Sequence, residues 1–296
     1  MHDATLHLIS IILPTRGRPK LALSFMNSLV DMADHPDHIE IVAIVDDDDQ
    51  TGDLIDFERC HFLKVTTSRQ SMGTYNQLGV SHSKGSIISL GNDDVIVKTK
   101  GWDTTYRKIH DQYHDHIYLA YPNDKNKGSS LCTFPFFSRA LIVNAPGVLN
   151  SSYKGAFIDY HLMDIFMRLR WYSIDRMIYL EDVVFEHNHF RAGKSEFDQT
   201  YADRERFVDD QIFLELSRER KKIVNSLLEH LKTKIWKKFN HNKTVHKKYN
   251  IRSMIVDQIP LYWKVRILYF LSARKFYISW IHARSATGLK DLVKTS

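Results

Sequence analysis

The sequence predicts an α/β fold: a mainly parallel sheet with helices on both faces, followed by a helical, basic C-terminal region. Three observations carry this expectation. Apolar runs at residues 8–13, 39–45 and 86–90 have the length and branched composition of strands buried on both faces. Segments of helical spacing stand between them, the alternation of βαβ units. Charge also divides the chain. From Arg218 onward there are 19 basic and 4 acidic residues, a balance of +15; the remainder carries 22 basic and 31 acidic residues, a balance of −9. An acidic body and a basic tail imply two regions with different partners, residues 1–205 and 206–296.

Each element has its local reason. The first strand, at 8–13, is stopped by Pro14, and Thr15-Arg16-Gly17-Arg18-Pro19 reads as a loop. Residues 21–32 have helical spacing. The second strand, 39–45, runs straight into Asp46-Asp47-Asp48-Asp49, and 62–65 reads as a weak third strand. Residues 72–80 look helical. The strand at 86–90 then ends in Gly91-Asn92-Asp93-Asp94.

Composition bounds the class. With 43% hydrophobic and 26% charged residues in a chain of 296, a substantial core is expected and wholesale disorder is excluded. Two cysteines, Cys60 and Cys132, are too few for a disulfide framework or a four-thiolate zinc site. The N-terminal residues lack the pattern of a signal peptide, and no run approaches the roughly 18–20 apolar residues of a membrane span. A cytoplasmic setting is expected, with possible contact to the inner membrane face.

Ligands of open α/β sheets bind in the crevice outside the carboxyl ends of the strands, which is where Asp93 and Asp94 fall. Adjacent carboxylates there suit a hard divalent cation that in turn binds phosphate oxygens. A polar turn is the simpler alternative for the same residues.

The order of these pieces resembles the nucleotide-sugar-binding half of family 2 glycosyltransferases, which have the GT-A fold. The likeness covers about residues 8–200. It is carried by Ile12-Leu13-Pro14-Thr15-Arg16, Val45-Asp46-Asp47, Asn76 within Gly73-Thr74-Tyr75-Asn76-Gln77, and the Lys84-Gly85 turn. Gly91-Asn92-Asp93-Asp94 stands in the place of the family's Asp-x-Asp motif, with Gly101-Trp102-Asp103 at a familiar spacing. Further on, Phe157-Ile158-Asp159-Tyr160-His161-Leu162 looks like the acidic catalytic motif, and the run from Val183 to His189 like the late histidine segment. Two departures stand out: Ile158 replaces an acid, and Asn92 opens the Asp-x-Asp position.

The resemblance implies a GT-A (Rossmann-like) transferase that moves a sugar from a nucleoside-diphosphate sugar, by expectation a UDP-sugar, to an acceptor hydroxyl with inversion. Asp94 would hold the metal, with His187 or alternatively His189. Two residues apart on a strand, these histidines point the same way, so spacing cannot separate them. Imidazole favours Mn²⁺ over Mg²⁺. Pro14, Thr15, Arg16, Asp46, Arg69, Asn76, Asn92 and Asp93 would bind the donor, and Asp159 would be the base that takes the acceptor proton. Plainer alternatives are a helix cap for Asp159, a surface charge for Arg69 and a solvated acidic turn for Asp46, the last being the expectation for Asp48 and Asp49. Asp164, about 140° further around a helix, cannot share a substrate with Asp159; it is expected to be solvated or paired with Arg168. Phe134, Phe136 and Phe137 could wall an acceptor site, with core packing expected for two of them. Residues 190–203 could close over donor and metal.

After residue 203 the pattern changes. Leu216, Ile223, Val224, Leu227, Leu228, Leu231 and Ile235 form a helical apolar stripe, and residues 240–250 form a basic linker. Residues 260–284 mix seven aromatics with basic residues, suited to docking on the first domain, to a membrane interface or to a polyanion. The acceptor could be a glycan, a lipid-linked glycan, a protein or a nucleic acid carrying hydroxylated bases. Two other classes remain open. A sugar-nucleotide nucleotidyltransferase would want a Gly-rich loop with a following lysine, of which residues 15–20 are a poor version. A non-catalytic polyanion-binding module would use the basic tail alone.

Overall fold

The computed structural model describes residues 6–188 and 208–231, with Val265, Leu268, Tyr269 and Ser272. His189, the segment 190–203 and the linker 240–250 lie outside the described residues, as does nearly all of 260–284. The chain divides into two compact units. The first comprises Met1–Arg204 with Arg218–Phe239, and the second Glu205–Ser217 with Asn240–Ser296.

The first unit is built on strands β1 (Ile9–Pro14), β2 (Ile39–Asp46), β3 (His61–Thr67), β4 (Ile87–Leu90), β5 (Val95–Val97), β6 (Leu119–Asn123), β7 (Phe136–Ser138) and β8 (Met177–His187). Its helices are α1 (Pro19–Asp31), α2 (Thr51–Leu54), α3 (Met72–His82), α4 (Trp102–Gln112), α5 (Arg139–Asn144) and α6 (Ile158–Arg170). The second unit contributes α7 (Asp209–Glu215), and α8 (Ser217–His230) returns to the first.

The strand order is β3-β2-β1-β4-β7-β6-β8-β5. Pairings from β3 through β4 are parallel, as is β6 with β8. β7 is antiparallel to both its neighbours, and β5 to β8, so the sheet is parallel in its first half and mixed in its second. The chain steps outward from β1 to β2 and β3, then crosses to the other side of β1 for β4. That reversal creates a switch point outside the carboxyl ends of β1 and β4.

Alternation along β1 assigns its two faces. Ile9, Ile11 and Leu13 join Phe25, Met26 and Leu29 of α1 and Trp102 and Tyr106 of α4 in one buried core. On the other face Ile12 lies against Gly79 of α3, as does Ile44 of β2. Both faces are covered, which is why β1 and β2 are apolar almost throughout. The third strand is longer than its weak signal, seven residues, and as an edge strand it is the most exposed of the parallel set. Phe134, Phe136 and Phe137 are all buried, one more than expected; Phe136 stacks on Tyr106 at 3.6 Å.

The Lys84-Gly85 turn is structural. Lys84 N–H donates to Glu40 Oε2 at 2.8 Å and Gly85 N–H to Ser10 Oγ at 2.7 Å, at the amino ends of the strands and opposite the switch point. The apolar stripe of α8 is buried through Ile223, Val224, Leu227 and Leu228. Asp164, on α6, is fully buried and not solvated; it accepts from Arg168 Nε at 2.8 Å, as expected, and also from Arg220 Nε of α8 at 2.5 Å. This joint fixes α6 from behind. Asp164→Asn takes the shared counter-charge from two buried guanidinium groups and should destabilise the fold by about 3 kcal/mol or more, read by urea denaturation. A loss within error of zero would show the joint to be dispensable.

Candidate active site

The loop after β1 splits its two arginines between neighbouring strands. Gly17 has φ +67°, a left-handed turn that L side chains rarely adopt, and it sends Arg16 towards β2 and Arg18 towards β4. Arg16 Nη1 donates to Asp46 Oδ2 at 2.8 Å, and its Nη2 to Asp48 Oδ2 at 3.1 Å. Gly17 N–H donates to Asp49 Oδ2 at 2.8 Å and to Thr51 Oγ1 at 2.7 Å. The acidic turn is therefore bonded rather than merely solvated. The Arg16 hydrogen bond holds the Asp48 carboxyl below its ordinary range, and the two carboxylates raise Arg16 further above its own.

Asp46 is buried at the end of β2, and its second oxygen accepts from the Tyr75 hydroxyl on α3. Burial, and then this bond, push the phenol up to about 12. Gln70 N–H in turn donates to Tyr75 Oη at 2.8 Å. Asn76, the next residue of α3, is buried, whereas Arg69 is exposed in the loop before the helix.

On the β4 side both oxygens of Asp93 are engaged. Thr15 Oγ1 donates to Oδ2 at 2.8 Å and Arg18 Nη1 to Oδ1 at 3.2 Å. Burial raises Asp93 to about 6; Arg18 opposes the shift, Asp94 adds to it, and the two hydrogen bonds oppose it. Pro14 is the buried last residue of β1, and Asn92 is half-buried beside the acids.

Asp94 and His187 meet because β5 pairs antiparallel with β8 in a register that sets Val95 opposite His187. Asp94 Oδ1 lies 3.3 Å from His187 Nε2, and Asn188 N–H donates to the Asp94 carbonyl at 2.8 Å. His187 N–H donates to the Asp124 carbonyl at 3.1 Å. The Phe134 ring packs edge-on against the imidazole at 5.2 Å. The Asp124 carboxylate fixes this corner by accepting from the backbone N–H of Asn126, Lys127 and Gly128 and from Thr133 Oγ1.

Asp159 lies in the first turn of α6 and is half-buried. It is not the helix cap: that position belongs to Phe157, and Asp159 stands two residues inside, where a carboxylate still profits from the helix dipole. Cys132 Sγ donates to its carbonyl at 3.1 Å, and two residues on Phe134 touches His187. This short loop thus touches both the backbone of the first turn of α6 and the His187 ring.

Of the residues singled out in the sequence, the fold gathers Thr15, Arg16, Asp46, Asp93, Asp94 and His187 at one end of the sheet. Sequence reading passed over Arg18, Tyr75 and Asp124. Two arginines flank Gly17 alike in sequence, and only the turn decides which one enters the interior.

No family model and no curated protein matches the chain. Among solved structures, residues 1–349 of TarS from S. aureus, in complex with UDP, align at 14% identity and TM-score 0.48, over 77% of this chain and 72% of that one. The mannosyltransferase PcManGT from Pyrobaculum calidifontis, in complex with GDP-Man and Mn²⁺, aligns at 12% identity and TM-score 0.48, over 99% and 89%. A longer TarS structure aligns at 15% and 0.47, and this chain spans 44% of its length. No helix among the described residues is long and apolar enough to cross a membrane.

Arg18→Met leaves the buried Asp93 facing Asp94 without its guanidinium. The folded-state titration of Asp93 should then climb above about 6. A carboxylate raised above its unfolded value costs stability at pH values above that range and none once protonated. The variant should therefore lose roughly 3 kcal/mol at pH 7 and less at pH 5. Urea unfolding at the two pH values measures this; an equal loss at both would show that the charge of Asp93 is immaterial.

Proposed function

We propose that the chain transfers a sugar from a nucleoside-diphosphate sugar to an acceptor hydroxyl, with a divalent cation bound by Asp94 and His187. The observation that carries this reading is the 3.3 Å pairing of Asp94 and His187 beside the Thr15–Asp93 bond, at the switch point of the sheet. The donor set fits a cation. Asp94 Oδ1 and His187 Nε2 converge to 3.3 Å, and oxygen and imidazole donors of this kind would hold a divalent ion. Among the described residues no group of three or more His, Cys, Asp or Glu could hold a metal ion. Two protein ligands would suffice for a cation that acts together with a diphosphate substrate. When bound, the cation supplies positive charge for the departing diphosphate, and the imidazole favours Mn²⁺ over Mg²⁺.

The remaining roles are those the resemblance implies, with Tyr75 added as a partner of Asp46. Asp46, Tyr75 and Arg16 frame the nucleoside, Pro14 and Asn76 line its pocket, and Arg69 reaches the phosphates. Asn92 and Asp93 face the ribose or sugar. The acceptor oxygen attacks the anomeric carbon as the bond to the diphosphate oxygen breaks. The electron pair leaves with the diphosphate, and the acceptor proton passes to Asp159. One displacement gives inversion. UDP is the expected nucleotide. The basic residues beyond Arg218 provide contact with a polyanionic acceptor or with a membrane surface.

A screen of UDP- and GDP-sugars for Mn²⁺-dependent binding and hydrolysis tests the reading; no binding to any donor would sink it. Asp94→Asn should abolish the metal dependence of donor binding while the fold persists, as calorimetry with and without Mn²⁺ would record. Asp159→Asn should keep donor affinity and lose 10²- to 10⁴-fold in kcat, roughly the contribution of a general base. If affinity collapses while turnover at saturation survives, Asp159 binds the donor and another group is the base.

A further inference from the structure

The first turns of α3 lie against the segment that leads into α6. The N–H groups at a helix start have no partner within the helix. Here two of them are satisfied by that segment: Met72 N–H donates to Lys154 O at 3.2 Å and Gly73 N–H to Tyr153 O at 2.8 Å. Ser71 Oγ donates to Ser151 O at 2.7 Å and Gln77 Nε2 to Leu149 O at 2.8 Å. The seam is so close that a Cβ at position 73 would lie 2.9 Å from Ser151 Cα, and nearer still to the Asn150 carbonyl oxygen. These are backbone atoms with no rotamer to yield. Alanine is the better helix former, so glycine stands here against local propensity, for close approach alone.

Both ends of the seam reach the candidate site. Two residues after Gly73, the Tyr75 hydroxyl holds Asp46. On the other side Tyr153, fully buried, hydrogen-bonds His161 Nδ1 at 2.9 Å, two residues after Asp159 on α6. Between them Phe157 adopts φ +63°, an unfavourable conformation for a bulky residue, with its ring packed on Tyr160 at 5.1 Å. Such a conformation persists only where the surroundings over-determine it.

We propose that Gly73 is a positioning residue: it seats segment 149–157 on α3 and so fixes Asp159 relative to the nucleotide end of the site. The inference rests on the transferase reading above. An alanine methyl must push the segment away by on the order of 1 Å, and a misplacement of that size between reacting groups costs about 10²-fold in rate.

The test uses the full chain with Mn²⁺ and the UDP- and GDP-sugars of the screen. It measures kcat for donor hydrolysis and, by calorimetry, the Kd for UDP or GDP. Gly73→Ala should lower kcat by about 10²-fold with nucleotide Kd within about twofold of wild type, the signature of lost alignment rather than lost binding. Gln77→Met, which removes only the Leu149 bond, should give a smaller fall in kcat at unchanged Tm, and decides the matter if Gly73→Ala fails to fold. Unchanged kcat in the folded variants overturns the positioning role, as does an equal loss of kcat and nucleotide affinity. A wild type that neither binds nor turns over any donor overturns the transferase reading itself, and this inference with it.

Discussion

A buried carboxylate must be given a partner, and among the described residues the carboxyl end of this sheet carries four: Asp46, Asp93, Asp94 and Asp124, each under 10% exposed. An uncompensated charge in such surroundings costs several kcal/mol. The loops around the sheet are arranged to meet that demand. Arg16 and Tyr75 take Asp46, Arg18 and Thr15 take Asp93, and the β8 strand brings His187 to Asp94. The left-handed turn at Gly17 exists so that one short loop can serve two strands.

The same demand bears on the proposed cation. Burial raises Asp93 to about 6, with Arg18 opposing the shift and Asp94 adding to it, so the charged form is disfavoured there. A divalent ion or the counter-charges of a bound substrate would relieve it. Carboxylate oxygens have spare lone pairs after accepting one bond each, so Asp46 and Asp93 can hold their protein partners and still accept the bonds that the proposed donor binding asks of them.

The scaffold behind these loops is rigid for a different reason. β1 and β2 are buried on both faces, and α6 is fixed at its rear by the Asp164–Arg168–Arg220 joint and at its front by the seam with α3. A reacting group on the first turn of such a helix has little freedom to drift. Preorganisation of that kind is what the proposed role of Asp159 as a base requires.

The sequence by itself determined the strands, the alternation with helices and the acids at the strand ends, because apolar period and branched composition are local properties of the chain. It also pointed to His187, through its place after an apolar run. Tertiary structure alone decided which arginine faces which acid, since Gly17 and not the residue type sets the direction. It also shows how Asp94 comes to His187, a pairing that the family resemblance implied but no local pattern encodes, since the β5–β8 register joins residues 88 to 92 positions apart. The mixed second half of the sheet was illegible for the same reason: β5 and β7 are three residues each, too short to show a period, and are strands only because neighbours pair with them. Gly73 shows the limit most plainly. Its composition reads as a weak spot in a helix, and only the backbone of residues 150 and 151 pressed against it explains why no side chain can stand there.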